Sequence, residues 1–239
     1  MKVLSFNIWG DFAHFRKFYT TSSSLTFSFP PPPTIYGILG AVLGVDRNEY
    51  LEILGCKQTK IGIQILKPVK KIRMGLNFIN TKDNFWTLVI SKHHEPRTQI
   101  LTEFIKEPCY RIFVTHTDDN VLSSLAKNIK EHKTVYTISL GLSQLLCDFS
   151  FVDFCDAKEK QNEIFIDILT VVPFSLINPN GIEVQSGKKY IKEKIPAEMK
   201  PGRIVTRYED VLFDADGKPL KVNLKNYWEL ENGTKITFI

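Results

Sequence analysis

The sequence contains little that would support metal or cofactor chemistry. Its four cysteines, Cys56, Cys109, Cys147 and Cys155, are scattered without a CxxC pair, and no histidine stands at metal-ligand spacing from them. There is no GxxxxGKS/T loop, no GxGxxG turn after a strand, no HExxH motif and no paired carboxylate motif. We therefore expect reduced thiols, no bound metal and no small-molecule cofactor.

Long apolar runs are also missing. No stretch approaches the roughly 20 apolar residues that a membrane span needs, and the N-terminal MKVLSFNIWGDF lacks the unbroken apolar region of a signal peptide. Hydrophobic residues make up 43% of the 239 residues, which is enough for a core in one large domain or two small ones. We expect a cytoplasmic protein with no membrane partner.

Acidic residues are absent from one part of this modestly basic chain, whose net charge is +5. Between Cys56 and Arg73 there are six cations and no acid, and between Gly187 and Arg203 there are six cations against two acids. Such one-sided clusters suit a phosphate backbone, although each could equally be a solvated face. The cations are Lys57, Lys60, Lys67, Lys70, Lys71 and Arg73, then Lys188, Lys189, Lys192, Lys194, Lys200 and Arg203.

Four consecutive prolines precede a segment rich in small residues, FSFPPPPTIYGILGAVLG. Each proline fixes φ and lacks an N–H, so Pro30 to Pro33 are predicted to form polyproline II and not helix. Thr34 is the predicted N-cap of a helix over 34–44. Each interior glycine of that helix costs roughly 1 kcal/mol against alanine, which indicates either close packing or contact of bare backbone with a ligand or partner subunit.

The order of predicted elements indicates an α+β fold. Strands at KVLSFNIWG, KIGIQIL and CYRIFVTH alternate with the helix 34–44 and with a helix that Asp118 opens, in the order of a ferredoxin-like unit. A β-hairpin is predicted over about 67–107. The turn sequences NPNG, MKPG and DADG separate later strands. We expect a ferredoxin-like (RRM-like) unit over 1–145 and a smaller, mainly antiparallel β part over 146–239.

Several motifs together resemble a known family. The runs FAHFRKFYT, SFPPPPTIYGILGAVLG, RTQ, EPCYRIFV and YTISLGLSQ occur in the order and rough spacing of the CRISPR-associated "Cas family five" proteins. These are RAMP-superfamily subunits of type I Cascade complexes, and we expect an I-B-like system. The resemblance covers roughly residues 1 to 145.

The resemblance implies an RRM-like subunit that binds and caps the 5′ handle of a CRISPR RNA in antiviral defence. It also implies that the hairpin acts as a "thumb" that contacts the Cascade backbone subunit, and that another surface meets the large subunit. In this picture the glycines let the first helix pack tightly against the sheet. We therefore expect a scaffold role for that helix.

Handle recognition requires cations for phosphates and flat groups for unstacked bases. The segment from Phe12 to Tyr19 interleaves aromatic residues with cations, and the strand from Lys67 to Arg73 is a basic arm. The RTQ and YRIF motifs add planar donors, although Arg111 could instead pair with a carboxylate such as Glu103. The candidate RNA-binding residues are His14, Arg16, Lys17, Tyr19, Lys70, Lys71, Arg73, Arg97, Gln99 and Arg111.

Two alternatives remain open from the residues. The type I-C relatives cut repeat RNA without a metal, which needs a base for the 2′-OH proton and a cation for the phosphate charge. His14, Lys17 and Tyr19 could supply these groups, so a metal-independent endoribonuclease is one alternative to the non-catalytic subunit that we expect. A stand-alone RRM-like RNA-binding protein is the other.

Overall fold

The computed structural model describes residues 1–20, 23–80, 95–161 and 164–239. Within these ranges the helices are α1 (Pro32–Leu43), α2 (Tyr50–Leu54) and α3 (Asp119–Lys130), and a short 3-10 helix covers Phe174–Leu176. The strands are β1 (Lys2–Trp9), β2 (Phe12–Ala13), β3 (Thr59–Ile65), β4 (Lys71–Ile79), β5 (Arg97–Lys106), β6 (Cys109–His116), β7 (Asp148–Lys160), β8 (Ile166–Ile168), β9 (Val172–Pro173), β10 (Ile177–Ile182), β11 (Tyr190–Lys200), β12 (Ile204–Asp214), β13 (Leu220–Leu224), β14 (Tyr227–Leu230) and β15 (Lys235–Ile236).

A six-stranded sheet in the order β15-β14-β7-β1-β6-β3 forms the centre of the fold. Every pairing in it is antiparallel. On one face of the sheet, alternate residues such as Leu4 and Phe6 are buried with Leu39 of α1 and Leu125 of α3. The two longer helices therefore cover that face and close the main core, as the period-two pattern of β1 requires.

The opposite face of the sheet is covered in part by the C-terminal residues. Val3 and Phe113 are buried there with Leu230, Ile236 and Phe238. Because β7 pairs with β1, the central sheet contains strands from both sides of residue 145. Three smaller sheets, β10-β13-β8, β11-β12-β9 and β2-β5-β4, complete an α+β fold that is mostly antiparallel. The division into 1–145 and 146–239 remains a prediction.

The start of α1 corrects two predictions. The helix begins at Pro32 with Pro31 as its N-cap, so the proline run is not excluded from the helix and Thr34 is not the cap. The first N–H groups of a helix have no intrahelical acceptor, so prolines in the first turn lose no hydrogen bond. The cap predicted for α3 is confirmed, since the Asp118 side chain accepts a hydrogen bond from the Asn120 backbone N–H at 2.8 Å.

The two interior glycines of α1 differ in their surroundings. A Cβ on Gly40 would lie 3.1 Å from Cβ of Tyr50, so glycine at this position permits the close approach of α2. A Cβ on Gly37 would meet no atom within 4 Å. Packing among the described residues therefore does not offset the roughly 1 kcal/mol that Gly37 costs relative to alanine.

Strands β4 and β5 pair from Lys71 with Ile105 to Ile79 with Arg97. These strands lie within the range predicted as a hairpin, whose residues 81–94 are outside the described part of the chain. Three apolar side chains on the pair are exposed, namely Phe78, Ile79 and Leu101. None of the helices in the described ranges is long and apolar enough to cross a membrane.

Candidate nucleic-acid interface

A cavity of about 490 Å³ lies between the loop that follows β2, the start of β4 and strand β11. We call it the basic groove. Its lining brings together residues from three segments that are far apart in the sequence, namely Lys17, Tyr19, Lys71, Lys192 and Lys194. Glu193 is the one acid among the described lining residues. The geometry therefore joins parts of both predicted basic clusters to the aromatic and basic segment near the N-terminus.

Lys17 and Glu193 form an ion pair at the edge of the groove. Lys17 Nζ lies 2.5 Å from Glu193 Oε1, and Glu193 Oε2 accepts a hydrogen bond from the Ser28 backbone N–H at 3.1 Å. Burial is the largest influence on Lys17 and lowers its pKa, but the hydrogen bonds and charges of Glu193 and Tyr19 together raise the pKa above its ordinary value. Lys17 stays protonated, and its charge is largely used in holding the loop onto β11.

The two lysines of β11 are more available to a ligand. Lys192 and Lys194 are two residues apart on one strand, so their side chains leave the same face of the sheet. Lys192 Nζ lies 2.9 Å from Asp210 Oδ2 in a half-exposed pair. Lys194 takes part in no ion pair among the described residues, and its Nζ lies 5.8 Å from the centre of the Tyr208 ring.

Exposed aromatic rings lie beside these lysines. Phe18 is 51% exposed, Tyr19 59% and Tyr208 36%. The ring centres of Phe18 and Tyr208 are 4.6 Å apart, and those of Phe18 and Tyr19 are 5.1 Å apart with perpendicular planes. We call these three residues the aromatic cluster. Tyr208 was missed by the sequence analysis, because a single tyrosine in a strand pattern gives no sign of its neighbours on another segment.

His14 lies in the interior and does not line the groove. Its side chain is 4% exposed, its Nδ1 is 2.7 Å from the carbonyl oxygen of Glu103, and its ring packs against Phe104. Burial lowers the pKa of His14 below its ordinary value. Arg16 is exposed nearby and donates from Nη2 to the carbonyl oxygen of Thr20 at 3.1 Å.

The carboxylate of Glu103 pairs with two cations at the start of β4, Lys71 and Arg73. Lys71 Nζ donates to the carbonyl oxygen of Thr26 at 2.7 Å and lies 3.4 Å from Glu103 Oε1. Arg73 Nε lies 3.8 Å from Glu103 Oε2, but its side chain remains 61% exposed. Lys70 is also exposed. Of these three residues, Lys71 lines the groove, and Lys70 and Arg73 are its neighbours in the chain.

The remaining candidates lie elsewhere. Arg97 pairs with Ile79, which lies eight positions after Lys71 on β4. At about 3.4 Å per residue, Arg97 is therefore roughly 27 Å from Lys71 along the strand. Gln99 is exposed on the same strand and packs over Gly75. Arg111 Nε donates to Asn7 Oδ1 at 3.0 Å on the central sheet, and its suggested partner Glu103 binds Lys71 and Arg73 instead.

The three residues considered for RNA cleavage are not presented together. Lys17 and Tyr19 line the basic groove, whereas the His14 ring is enclosed and hydrogen-bonded outside it. No group of three or more histidine, cysteine or acidic residues that could hold a metal ion occurs in the ranges described above. What the groove offers is fixed positive charge and exposed ring faces, which are means of binding an anionic, flat ligand.

Comparison with known proteins identifies the family of the chain. A family model described as "CRISPR-associated protein (Cas_Cas5)" matches residues 3–129, just over half of the chain. The protein therefore belongs to this family of CRISPR-associated proteins, which confirms the family that its motifs resemble. A search of curated proteins gave no match.

Two solved structures share the fold over nearly their whole length. The first, a crystal structure of a CRISPR protein from Archaeoglobus fulgidus, has a TM-score of 0.55 and 17% identity, with 99% of this chain and 98% of that chain covered. The second is a chain of a CRISPR RNA-guided surveillance complex, with a TM-score of 0.54, 10% identity and 97% and 92% coverage. At these identities the likeness is one of fold.

Proposed function

We propose that this protein is a non-catalytic subunit of a type I CRISPR Cascade complex and binds the 5′ handle of the CRISPR RNA. Its family membership supports a role in CRISPR defence, and a chain of similar fold occurs in an RNA-guided surveillance complex. The strand order β7-β1-β6-β3, with α1 and α3 on one face, supports a ferredoxin-like (RRM-like) description of the central unit.

The observation that carries the proposal is the basic groove next to the aromatic cluster. Single-stranded RNA is bound by cations that follow its phosphates and by rings on which unstacked bases lie. Lys194 and Lys192 provide charge at the groove, while Phe18, Tyr19 and Tyr208 provide exposed ring faces within contact distance of one another. Each stacked base is worth about 1–3 kcal/mol, so a few contacts of this kind suffice to retain a short single strand.

The paired strands β4 and β5 are the proposed thumb. They begin beside the groove at Lys71, and they carry exposed Leu101 halfway along the ladder and exposed Phe78 and Ile79 at its far end. Exposed apolar side chains on a strand pair are suited to a protein neighbour, for which the Cascade backbone subunit is our candidate. Contact with the large subunit belongs to the same proposal, as does the cytoplasmic location.

A single gel experiment separates binding from cleavage. Labelled cognate repeat RNA is mixed with the purified protein in EDTA, beside a control RNA whose handle sequence is scrambled. We expect RNA that is retarded, intact and bound in preference to the scrambled control. Cleavage at one position of the repeat would make the protein a processing ribonuclease, and equal binding of both RNAs would make it a general RNA-binding protein.

A further inference from the structure

A second groove runs along the outward face of α1. Two adjoining cavities, of about 340 and 360 Å³, share four lining residues: Gly37, Ala41, Tyr50 and Arg203. We call the combined space the α1 groove. Clefts of this size are typical of sites for small ligands or for part of a larger one.

Positive charge exceeds negative charge in the described lining of the α1 groove. Arg47 and Arg203 both line it, and neither takes part in any ion pair within the described ranges. The one acid among the described lining residues, Asp46, accepts a hydrogen bond at Oδ1 from the Asn48 backbone N–H at 2.8 Å. Burial is the largest influence on Tyr50 and raises its pKa, while both arginines act to lower it. Their charges therefore reach the same part of the groove.

Flat surfaces complete the lining. Tyr50 is half-buried at one side, and Tyr136 is 54% exposed at another. Gly37 in the same lining leaves bare backbone with open space above it, since no atom lies within 4 Å of where a Cβ would stand. A planar group can approach the helix here more closely than any side chain would permit.

We propose that the α1 groove binds one nucleotide of the same single-stranded RNA, with a phosphate between Arg47 and Arg203 and the base over Gly37. A protein segment would need acidic side chains to match the two arginines but would leave the tyrosine faces without a specific partner. A nucleotide supplies both the anion and the flat ring. The proposal rests on the function proposed above and replaces a purely scaffolding role for α1.

Both grooves lie along the same pair of strands. Lys194 of β11 edges the basic groove, and Arg203 follows the end of β11 at Lys200. Lys200 lies six positions after Lys194, which corresponds to at most roughly 20 Å along a strand, since the register shifts near Glu198 shorten the path. One extended RNA strand of several nucleotides can therefore reach from the basic groove to the α1 groove.

The first variant fills the α1 groove with a side chain and leaves both arginines in place. Gly37→Leu places a side chain in the open space, and Gly37→Ala is the matched control because it adds a single methyl group and favours the helix. Binding of labelled cognate repeat RNA is measured at about 50 mM and about 200 mM salt, the range over which phosphate contacts dominate affinity. We expect Gly37→Leu to weaken binding about tenfold with an unchanged salt slope, and Gly37→Ala to stay closer to the original protein.

A second variant removes the charge. Arg47→Ala with Arg203→Ala should lower the salt slope by about 0.7, the value for one phosphate contact on a single strand. A variant of the basic groove, Lys192→Ala with Lys194→Ala, serves as the reference. If that variant binds RNA more weakly than the original protein while the α1 variants bind RNA normally, the inference is wrong and the proposed function stands. Loss of Cascade assembly by Gly37→Leu with normal RNA binding would also overturn it, in favour of a protein occupant. Absence of handle preference in the original protein would refute both.

Discussion

The double substitution Lys192→Ala with Lys194→Ala should make RNA binding less sensitive to salt. The two ammonium groups leave the same side of β11 beside the aromatic cluster, so we assign one phosphate contact to each. Each contact on a single strand contributes about 0.7 to the slope of log affinity against log salt, so the variant slope should be shallower by about 1.4. Over a fourfold rise in salt, the original protein should lose about sevenfold more affinity than the variant.

The fold should tolerate this change. Lys192 loses a half-exposed pair with Asp210 and a contact of its Nζ with the Phe174 ring at 4.5 Å, and exposed interactions of these kinds are each worth about 0–1 kcal/mol. Binding of handle RNA is measured by titration at several salt concentrations, with unfolding temperatures recorded for both proteins. Lys127→Ala with Lys158→Ala is the charge-matched control, because both lysines are exposed outside the groove. Equal slopes for the groove variant and this control would refute the assignment of the groove to RNA phosphates.

Three further predictions concern single residues. Gly141→Ala should cost at least about 2 kcal/mol and lower the unfolding temperature by about 4–8 °C, because φ is +104° and the new Cβ would lie 1.9 Å from the His14 carbonyl oxygen. Gly187→Ala is the control, because Gly187 also has a positive φ, +76°, but open space around it, so it should lose less stability. An equal loss of stability in both variants would contradict the clash predicted at Gly141. Tyr208→Leu should weaken handle binding about 5-fold to 150-fold without changing the salt slope, since it removes a stacking face and no charge. Burial lowers the pKa of His14, so as pH falls the unfolded chain takes up a proton at this residue before the folded chain does. The contribution of His14 to the free energy of unfolding should therefore be fully present above pH 6.5 and decrease below it. Denaturant titrations of His14→Gln should show a smaller decrease.

Much of the local structure could be predicted from sequence, because its causes are local. The alternating isoleucines of β3 and the aspartate cap of α3 depend on residues that are neighbours in the chain, and both elements occur where their patterns indicate. The start of α1 differs from the prediction because the rule that excludes proline from the helix interior does not hold in the first turn. There the missing N–H groups have no acceptor to lose, so Pro32 and Pro33 are compatible with the helix.

The candidate site was harder to predict because it is assembled from distant segments. Composition identified the lysines of both basic clusters, but only the fold brings Lys71 and Lys192 to one groove. Sequence could not show that Glu193 would bind Lys17, or that the carbonyl oxygen of Glu103 would hold the ring of His14 in the interior. These partners are fixed by tertiary packing, and they decide which charges remain available to a ligand.

Cross-linking would locate the handle RNA on the surface of the protein. Handle RNA carrying thiouridine at single positions is irradiated in complex with the protein, and the attached peptides are identified by mass spectrometry. We expect cross-links to the peptides that contain Phe18 and Tyr19 and to those of β11 and β12 that contain Lys194 and Tyr208. Cross-links confined to other surfaces, such as α3, would contradict this expectation.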